Sequence, residues 1–180
     1  MPNERAGDSQ YGSTKKYATW ISEELGADLF DRKNVAPSQI NAYDVVVYGG
    51  GLYAGGISGV KLVTKNPPKN LVVFTVGLAN PTTTDYSEIL KKNFDPTQFK
   101  DIKVFHLRGS IDYKKLSPIH RIMMFMMKKF VMDKKTPDKR TDEDRAFLET
   151  YGGHVDFTER SAIKPLIDYI RTEYKECGVK

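Results

Sequence analysis

A chain of 180 residues has room for one domain with a full-sized core, and its 39% apolar and 28% charged side chains exclude both a membrane-spanning and a low-complexity composition. The 28 basic against 23 acidic residues leave a formal charge of +5, which admits an anionic surface or nucleic acid as partner. The cations are scattered apart from clusters at Lys114-Lys115, Lys128-Lys129 and residues 134–140, and no zinc spacing, RNP-type signature or recognition-helix pattern accompanies them, so no nucleic acid is expected.

Residues 1–8, MPNERAGD, carry Pro2, Asn3, Glu4, Arg5, Gly7 and Asp8 where an open α/β sheet would place its first and most buried strand. Ser9, Gln10, Tyr11, Gly12, Ser13 and Thr14 then form a hydroxyl-rich turn into a helix with Tyr17, Ala18, Ile21 and Leu25 as its core face. Such a turn is either a plain N-cap or a phosphate cradle, backed by the positive end of the helix dipole. Gly26 ends the helix, residues 27–30 make a candidate second strand, and residues 37–43 form a connection with one helical turn.

Residues 44–48, DVVVY, are a β-branched run suited to a parallel strand covered on both faces, whose strand character ends at Gly49. Gly49, Gly50, Gly51, Gly55 and Gly56 around Leu52 and Tyr53 form either a loop free to approach a flat ligand or a plain βα connection. Ser58 is positioned to cap a helix from Gly59 to about Asn66. Pro67-Pro68 break the chain before a buried-type strand over residues 71–76, LVVFTV, which opens into the loop GLANPTTT. Thr83 or Thr84 caps a helix to Asn93, with Tyr86, Ile89, Leu90 and Phe94 at helical spacing. A further strand follows over residues 102–107, IKVFHL. Alternation of strand and helix at these intervals predicts one domain with a parallel sheet and helices on both faces.

Ser117 and Pro118 mark a helix start, and Ile119, Ile122, Met123, Met126, Met127, Phe130 and Val131 recur as a core stripe. The other face, Arg121, Phe125, Lys128, Lys129 and Met132, mixes basic and apolar groups. Interfacial helices do so, and so do packed helices with basic stems lying over apolar surface. Residues 133–144 read as a charged, mobile excursion. Thr141 caps a short helix ended by Gly152-Gly153, and Ser161 caps a final helix with Ile163, Leu166, Ile167, Ile170 and Tyr174 as its buried face.

His106, His120 and His154 form no triad or metal spacing, and a structural or surface role is expected for each. Neither a G-x-S-x-G elbow nor a Walker A loop is present, so chemistry points to a bound cofactor. Residues 1–9 are polar where a signal peptide would be apolar, and Cys177 is the sole cysteine, so a cytoplasmic protein is expected.

The segments SQYGSTKKYA, GGGLYAGGISG after DVVVY, and VGLANPTTTDY after LVVF together resemble the flavodoxin family. That family's phosphate motif is Thr or Ser, any residue, Thr, Gly, any residue, Thr; Ser9, Gly12, Ser13 and Thr14 fit it, with Tyr11 where Thr is usual. The resemblance implies a flavodoxin-like α/β fold, an open parallel sheet with helices on both faces, and FMN as cofactor. Ser9, Gln10, Tyr11, Gly12, Ser13 and Thr14 would hold the phosphate. The isoalloxazine would sit between Gly50, Gly51, Leu52, Tyr53, Ala54 and Gly55 on one side and Gly77, Leu78, Ala79, Asn80 and Tyr86 on the other. Tyr53 is the first candidate for stacking on the ring and Tyr86 the second.

Family members begin with an apolar strand directly before the phosphate loop. Residues 1–8 cannot replace it without burying charge, so the first strand is read as missing or degraded and the start of the chain as altered. The later stretch RGSIDYKKLSPIHRIMMFMMKKF resembles the menaquinone-dependent protoporphyrinogen oxidase branch of the family. This implies an FMN-dependent oxidoreductase acting on a porphyrinogen-type or other reduced substrate with a quinone acceptor. Lys114, Lys115, Arg121, Lys128 and Lys129 would steer a carboxylate-bearing substrate or hold the protein at the inner face of a membrane. The alternatives are an electron-transfer protein serving a redox partner, without its own substrate, and a flavin-free binding module.

Overall fold

The computed structural model describes residues 12–53, 55–97, 102–116 and 118–175. The chain enters helix α1 (Ser13–Leu25), which ends on left-handed Gly26, and passes through the single turn α2 (Pro37–Ile40) into strand β1 (Val46–Tyr53). Strand β2 (Gly56–Ile57) folds back on it, then come α3 (Lys61–Lys65), β3 (Leu71–Gly77), α4 (Ser87–Asn93) and β4 (Lys103–Arg108). The sheet order is β2-β1-β3-β4, with β1, β3 and β4 parallel and only the short β2 antiparallel. The expected open α/β sheet is therefore present.

Both faces of the sheet are covered, as the unbroken apolar runs of β1 and β3 require. On one face Val72, Phe74 and Val76 meet Tyr17, Ile21 and Leu25 of α1 and Leu166, Ile167 and Ile170 of the last helix. On the other, Tyr48 and Val73 meet Val63 of α3 and Phe94 at the end of α4. Beyond β4 the chain builds a lobe from β5 (Ser110–Asp112), α5 (Pro118–Met127), a π-helical turn (Lys128–Met132), α6 (Asp142–Thr150) and β6 (His154–Asp156), before α7 (Lys164–Glu173). The two-stranded antiparallel ribbon of β5 and β6 was not foreseen in the sequence.

Several expectations need correction. β1 does not end at Gly49 but runs on to Tyr53, because Gly50 and Gly51 stay paired with Thr75 and Val76 of β3 and Leu52 and Tyr53 pair with β2; the Phe74 ring lies where a Gly49 side chain would stand. Residues 27–30 form no strand; among the described residues they have no strand to pair with, and Leu29 and Phe30 are exposed. Ser58 does not cap α3: its carbonyl accepts the Tyr48 hydroxyl at 2.6 Å, and the helix starts later, at Lys61. Thr83 and Thr84 donate to the Asn80 carbonyl, so α4 begins only after Tyr86. Ser161 lies in a 3-10 turn ahead of α7 and bonds Glu159.

Of the stripe expected to be core on α5, Met127 packs against the lobe but three residues do not. Ile122, Met126 and Phe130 are exposed, while Met124 and Met132 pack against Ile111, Leu116 and Phe147. By contrast Thr141 caps α6 as expected, in a reciprocal capping box with Asp144. Asp144 also pairs with Lys135 at 2.6 Å, across the segment read as a mobile excursion.

Candidate functional site

Helix α1 begins at the end of the sheet where the parallel strands finish. Gly12 precedes it with φ of 73°, a left-handed conformation that glycine adopts without strain, and as the N-cap residue it has no side chain with which to cap the first turn. The Lys16 N–H bonds the Gly12 carbonyl at 2.8 Å, which leaves the earlier amides of the turn aimed past the helix end with the positive end of its dipole. The Ser13 hydroxyl is already used: it shares a 2.7 Å hydrogen bond with the Ser110 hydroxyl and accepts the Ser110 N–H at 3.0 Å. The Tyr17 hydroxyl donates to the Arg108 carbonyl at 2.7 Å and accepts the Glu159 N–H at 3.2 Å. Burial raises the pKa of that phenol, which stays protonated and keeps the latch.

Two further walls come from the neighbouring strand ends. The β1–β2 hairpin pairs Leu52 with Ile57 and Tyr53 with Gly56, so the expected glycine loop is a tight hairpin with Tyr53 at its tip, 41% exposed. After β3, the Gly77 carbonyl accepts the Gly109 N–H at 2.6 Å and the Leu78 carbonyl accepts Arg108 Nε at 3.1 Å. Ala79 is buried, and the Asn80 side chain and carbonyl organise Thr82, Thr83 and Thr84 into a turn. The loop is thus fixed in shape before any ligand arrives.

Tyr86 is 8% exposed and stacks on the His106 imidazole, ring centroids 3.5 Å apart and planes 6° from parallel. One face of its ring is covered, which makes it part of the wall and removes the second stacking candidate from the open rim. His106 also shares a hydrogen bond through Nδ1 with the buried Thr75 hydroxyl, and burial lowers its pKa to about 4. It is a neutral structural histidine at neutral pH, as its place in a strand pattern suggested. His154 is exposed, with Nε2 4.0 Å from Asp112 Oδ2. Among the described residues no three His, Cys, Asp or Glu side chains converge on a metal site.

Of the predicted site residues, Gly12, Ser13 and Thr14, the hairpin residues Gly50, Gly51, Leu52, Tyr53 and Gly55, and the loop residues Gly77, Leu78, Ala79 and Asn80 all lie at strand ends or at the start of α1. Ser9, Gln10, Tyr11 and Ala54 lie outside the described residues. Gly50 belongs to strand packing: a side chain there would meet Ile57. Sequence reasoning missed Ser110, which ties the start of α1 to β5. The one available signal was a hydroxyl residue directly after a strand and a glycine.

A second feature adjoins this rim. A groove of about 450 Å³ runs beside the outer edge of β1, between that edge and residues 27–31. Ala18, Ile21 and Leu25 of α1 and Leu62 and Val63 of α3 line its flanks, and Thr14 and Gly51 mark its upper end.

The donor set at the rim suits a phosphorylated planar ligand such as FMN. A helix N-terminus led by a left-handed glycine suits a phosphate, and an exposed tyrosine beside a fixed loop suits a flat ring. The fit uses the backbone of Ser13 and not its hydroxyl. Residues 8–139 match the family model described as Flavodoxin domain. No curated protein matches the chain.

Proposed function

The chain belongs to the flavodoxin domain family, and on that premise we propose that it binds FMN at this rim and acts as an oxidoreductase on a reduced small molecule with a quinone acceptor. The observation that carries the reading is the start of α1, where left-handed Gly12 brings the first turn of the helix to the rim at the ends of the parallel strands. In this reading the amides of Ser13 and Thr14 hold the phosphate, helped by the helix dipole. Tyr53 covers one side of the ring, and the fixed backbone from Gly77 to Asn80 limits water on the other. Bound FMN supplies the capacity to accept a hydride or electrons.

The substrate class in this proposal carries carboxylates, as a porphyrinogen does. Arg121 and Lys114 support it: the Arg121 guanidinium is held by the Lys114 carbonyl at 2.7 Å, with both side chains exposed on the lobe that follows the rim. Visible absorption of the protein after FMN addition and desalting tests the cofactor, with Tyr53→Ala expected to weaken binding about tenfold through lost ring contact. Colourless wild-type protein, or equal affinity in the variant, would overturn the assignment. Absence of porphyrinogen oxidation by flavin-loaded protein with a menaquinone analogue would remove the substrate and leave the cofactor.

A further inference from the structure

Helix α5 and the π-helical turn that follows it present an apolar face that no described residue covers. Ile122 is 60% exposed, Phe125 53%, Met126 50% and Phe130 51%, and their spacing places them on one side of the helix. Met124 and Met132 on the other side are buried in the lobe, so the orientation is fixed by packing.

The helix that carries this face has one sign of charge. Residues 118–132 contain no Asp or Glu. Lys129 Nζ lies 5.8 Å from the centroids of both Phe125 and Phe130, and Lys134 Nζ lies 5.6 Å from that of Phe130. Lys128 is partly neutralised by Asp133 at 3.5 Å, whereas Arg121, exposed at the start of the stripe, bonds only to a carbonyl among the described residues. Aromatic rings beside lysine ammonium groups, on a face without acids, match the layering of a bilayer surface. Apolar side chains enter the acyl boundary while long cationic stems reach the phosphates.

We propose that this face docks on an anionic lipid bilayer, with Ile122, Phe125, Met126 and Phe130 entering the interface and Arg121, Lys129 and Lys134 at headgroup level. A second copy of the chain is the poorer occupant, because a symmetric contact on this stripe would set Lys129 and Lys134 against their own counterparts. The proposal stands on the exposed face alone and goes beyond the flavin reading. The two are adjacent in space, since Leu78 of the rim loop packs into the same cluster as Met124 and Met132.

The test is co-sedimentation of the full chain, without added flavin, with vesicles of phosphatidylcholine alone or with 30% phosphatidylglycerol. Wild type is expected on the anionic vesicles only. Phe125→Ser with Phe130→Ser should weaken partitioning more than tenfold, given the size of the two rings. Lys129→Ala with Lys134→Ala should weaken it roughly thirtyfold, at the usual contribution of a cation near such a surface. A Phe125→Trp reporter should shift to the blue and be quenched by brominated lipid. Wild type left in the supernatant with both vesicle types overturns the proposal. Undiminished binding of the serine variant also overturns it, because charge alone would then suffice. So does a concentration-dependent dimer, lost in the serine variant, that forms in place of vesicle binding. Circular dichroism of each variant confirms that it is folded.

Discussion

The groove beside β1 has the form of a place for one more strand. Between Val46 and Gly51 the strand gives one edge to β3, starting with the Val46 N–H on the Asn70 carbonyl at 2.9 Å. Alternation then turns the N–H and C=O groups of Val47 and Gly49 toward the groove, where among the described residues no backbone partner meets them. The flanks are apolar on both sides, so an incoming strand would bury side chains in both directions. Replacing residues 2–8 by Lys-Val-Val-Ile-Ile-Val-Tyr offers such a strand, directly ahead of the turn into α1.

The size of the effect follows from the groove. Four buried β-branched side chains contribute roughly 8–10 kcal/mol, and about four ladder hydrogen bonds add ~1 kcal/mol each. Ordering six residues costs about 1.5 kcal/mol each, so a net gain of ~3–5 kcal/mol remains. For a chain of 180 residues, at ~2–4 °C per kcal/mol, the melting temperature should rise by about 10 °C. The urea dependence should steepen as more surface is buried. The control carries proline at the third and fifth positions of the same insert, which removes donors and leaves composition nearly unchanged. Equal melting temperatures for insert and control would refute the reasoning, because hydrophobicity without strand pairing would then explain any gain.

Other consequences are as direct. A Cβ at Gly49 would stand 2.2 Å from Phe74 Cζ, and that ring is buried against α1 and α7, so Gly49→Ala should cost ~2–3 kcal/mol in urea unfolding; an unchanged midpoint would contradict the packing. Because burial holds His106 at about 4, below the ordinary 6.5, the unfolded chain binds more protons between those values. Stability should be complete above pH 6.5 and fall by ~2 kcal/mol toward pH 4, allowing for the partial solvent contact of the ring. His106→Gln should lose that dependence, and a parallel loss in both proteins would rule it out. Burial alone would raise the Asp144 carboxyl, but Lys135 and the Thr141 cap together bring it below the usual carboxylate range. Its contribution is present above the unfolded pKa and is lost as pH falls through the folded one. Asp144→Asn should therefore cost ~1–2 kcal/mol at pH 7 and less in acid; a cost that does not shrink with acid would refute the role of the charge.

The parts of the fold that could be read from sequence are those where one signal dominates. The run LVVFTV can only be a strand covered on both faces, and α1 and α7 show a single apolar stripe each. Gly49, Gly50 and Gly51 misled because glycine has two uses. Here it makes room for Phe74 and Ile57 inside a continuing strand, and a sequence does not carry the position of a ring from another strand. On α5 both faces hold methionine and phenylalanine, so periodicity alone left the orientation open; Ile111, Leu116 and Phe147, distant in sequence, decided it. β5 and β6 are three residues each and lie far apart in the chain, too short for a period of two to register. At the site, the rim loops were legible as glycine and threonine clusters, whereas the Ser13 to Ser110 latch and the Tyr86 stack depend on long-range pairing.

The edge of β1 that no described residue pairs with beside the groove raises the question of what holds the start of α1 in place for a ligand. The contacts answer from the opposite side. Ser13 and Tyr17 are tied to Ser110 and the Arg108 carbonyl, Lys16 reaches Thr158 at 2.6 Å, and Arg160 grips Glu23 and Glu24 at 2.8 and 2.9 Å. Arg171 adds a 2.6 Å bond to the Glu24 carbonyl. Every one of these partners belongs to β4, β5 or the segment leading through α7, and none borders the groove except through α1 itself. The amides at Gly12 to Thr14 are therefore positioned by the far half of the molecule. Filling the groove should stabilise the fold, and because Thr14, Gly50 and Gly51 border both groove and rim, any accompanying change in FMN affinity should stay below about tenfold, short of the gain in stability. A large gain in affinity on filling it would instead mean that the preceding segment, and not β4 and β5, sets the geometry of the rim.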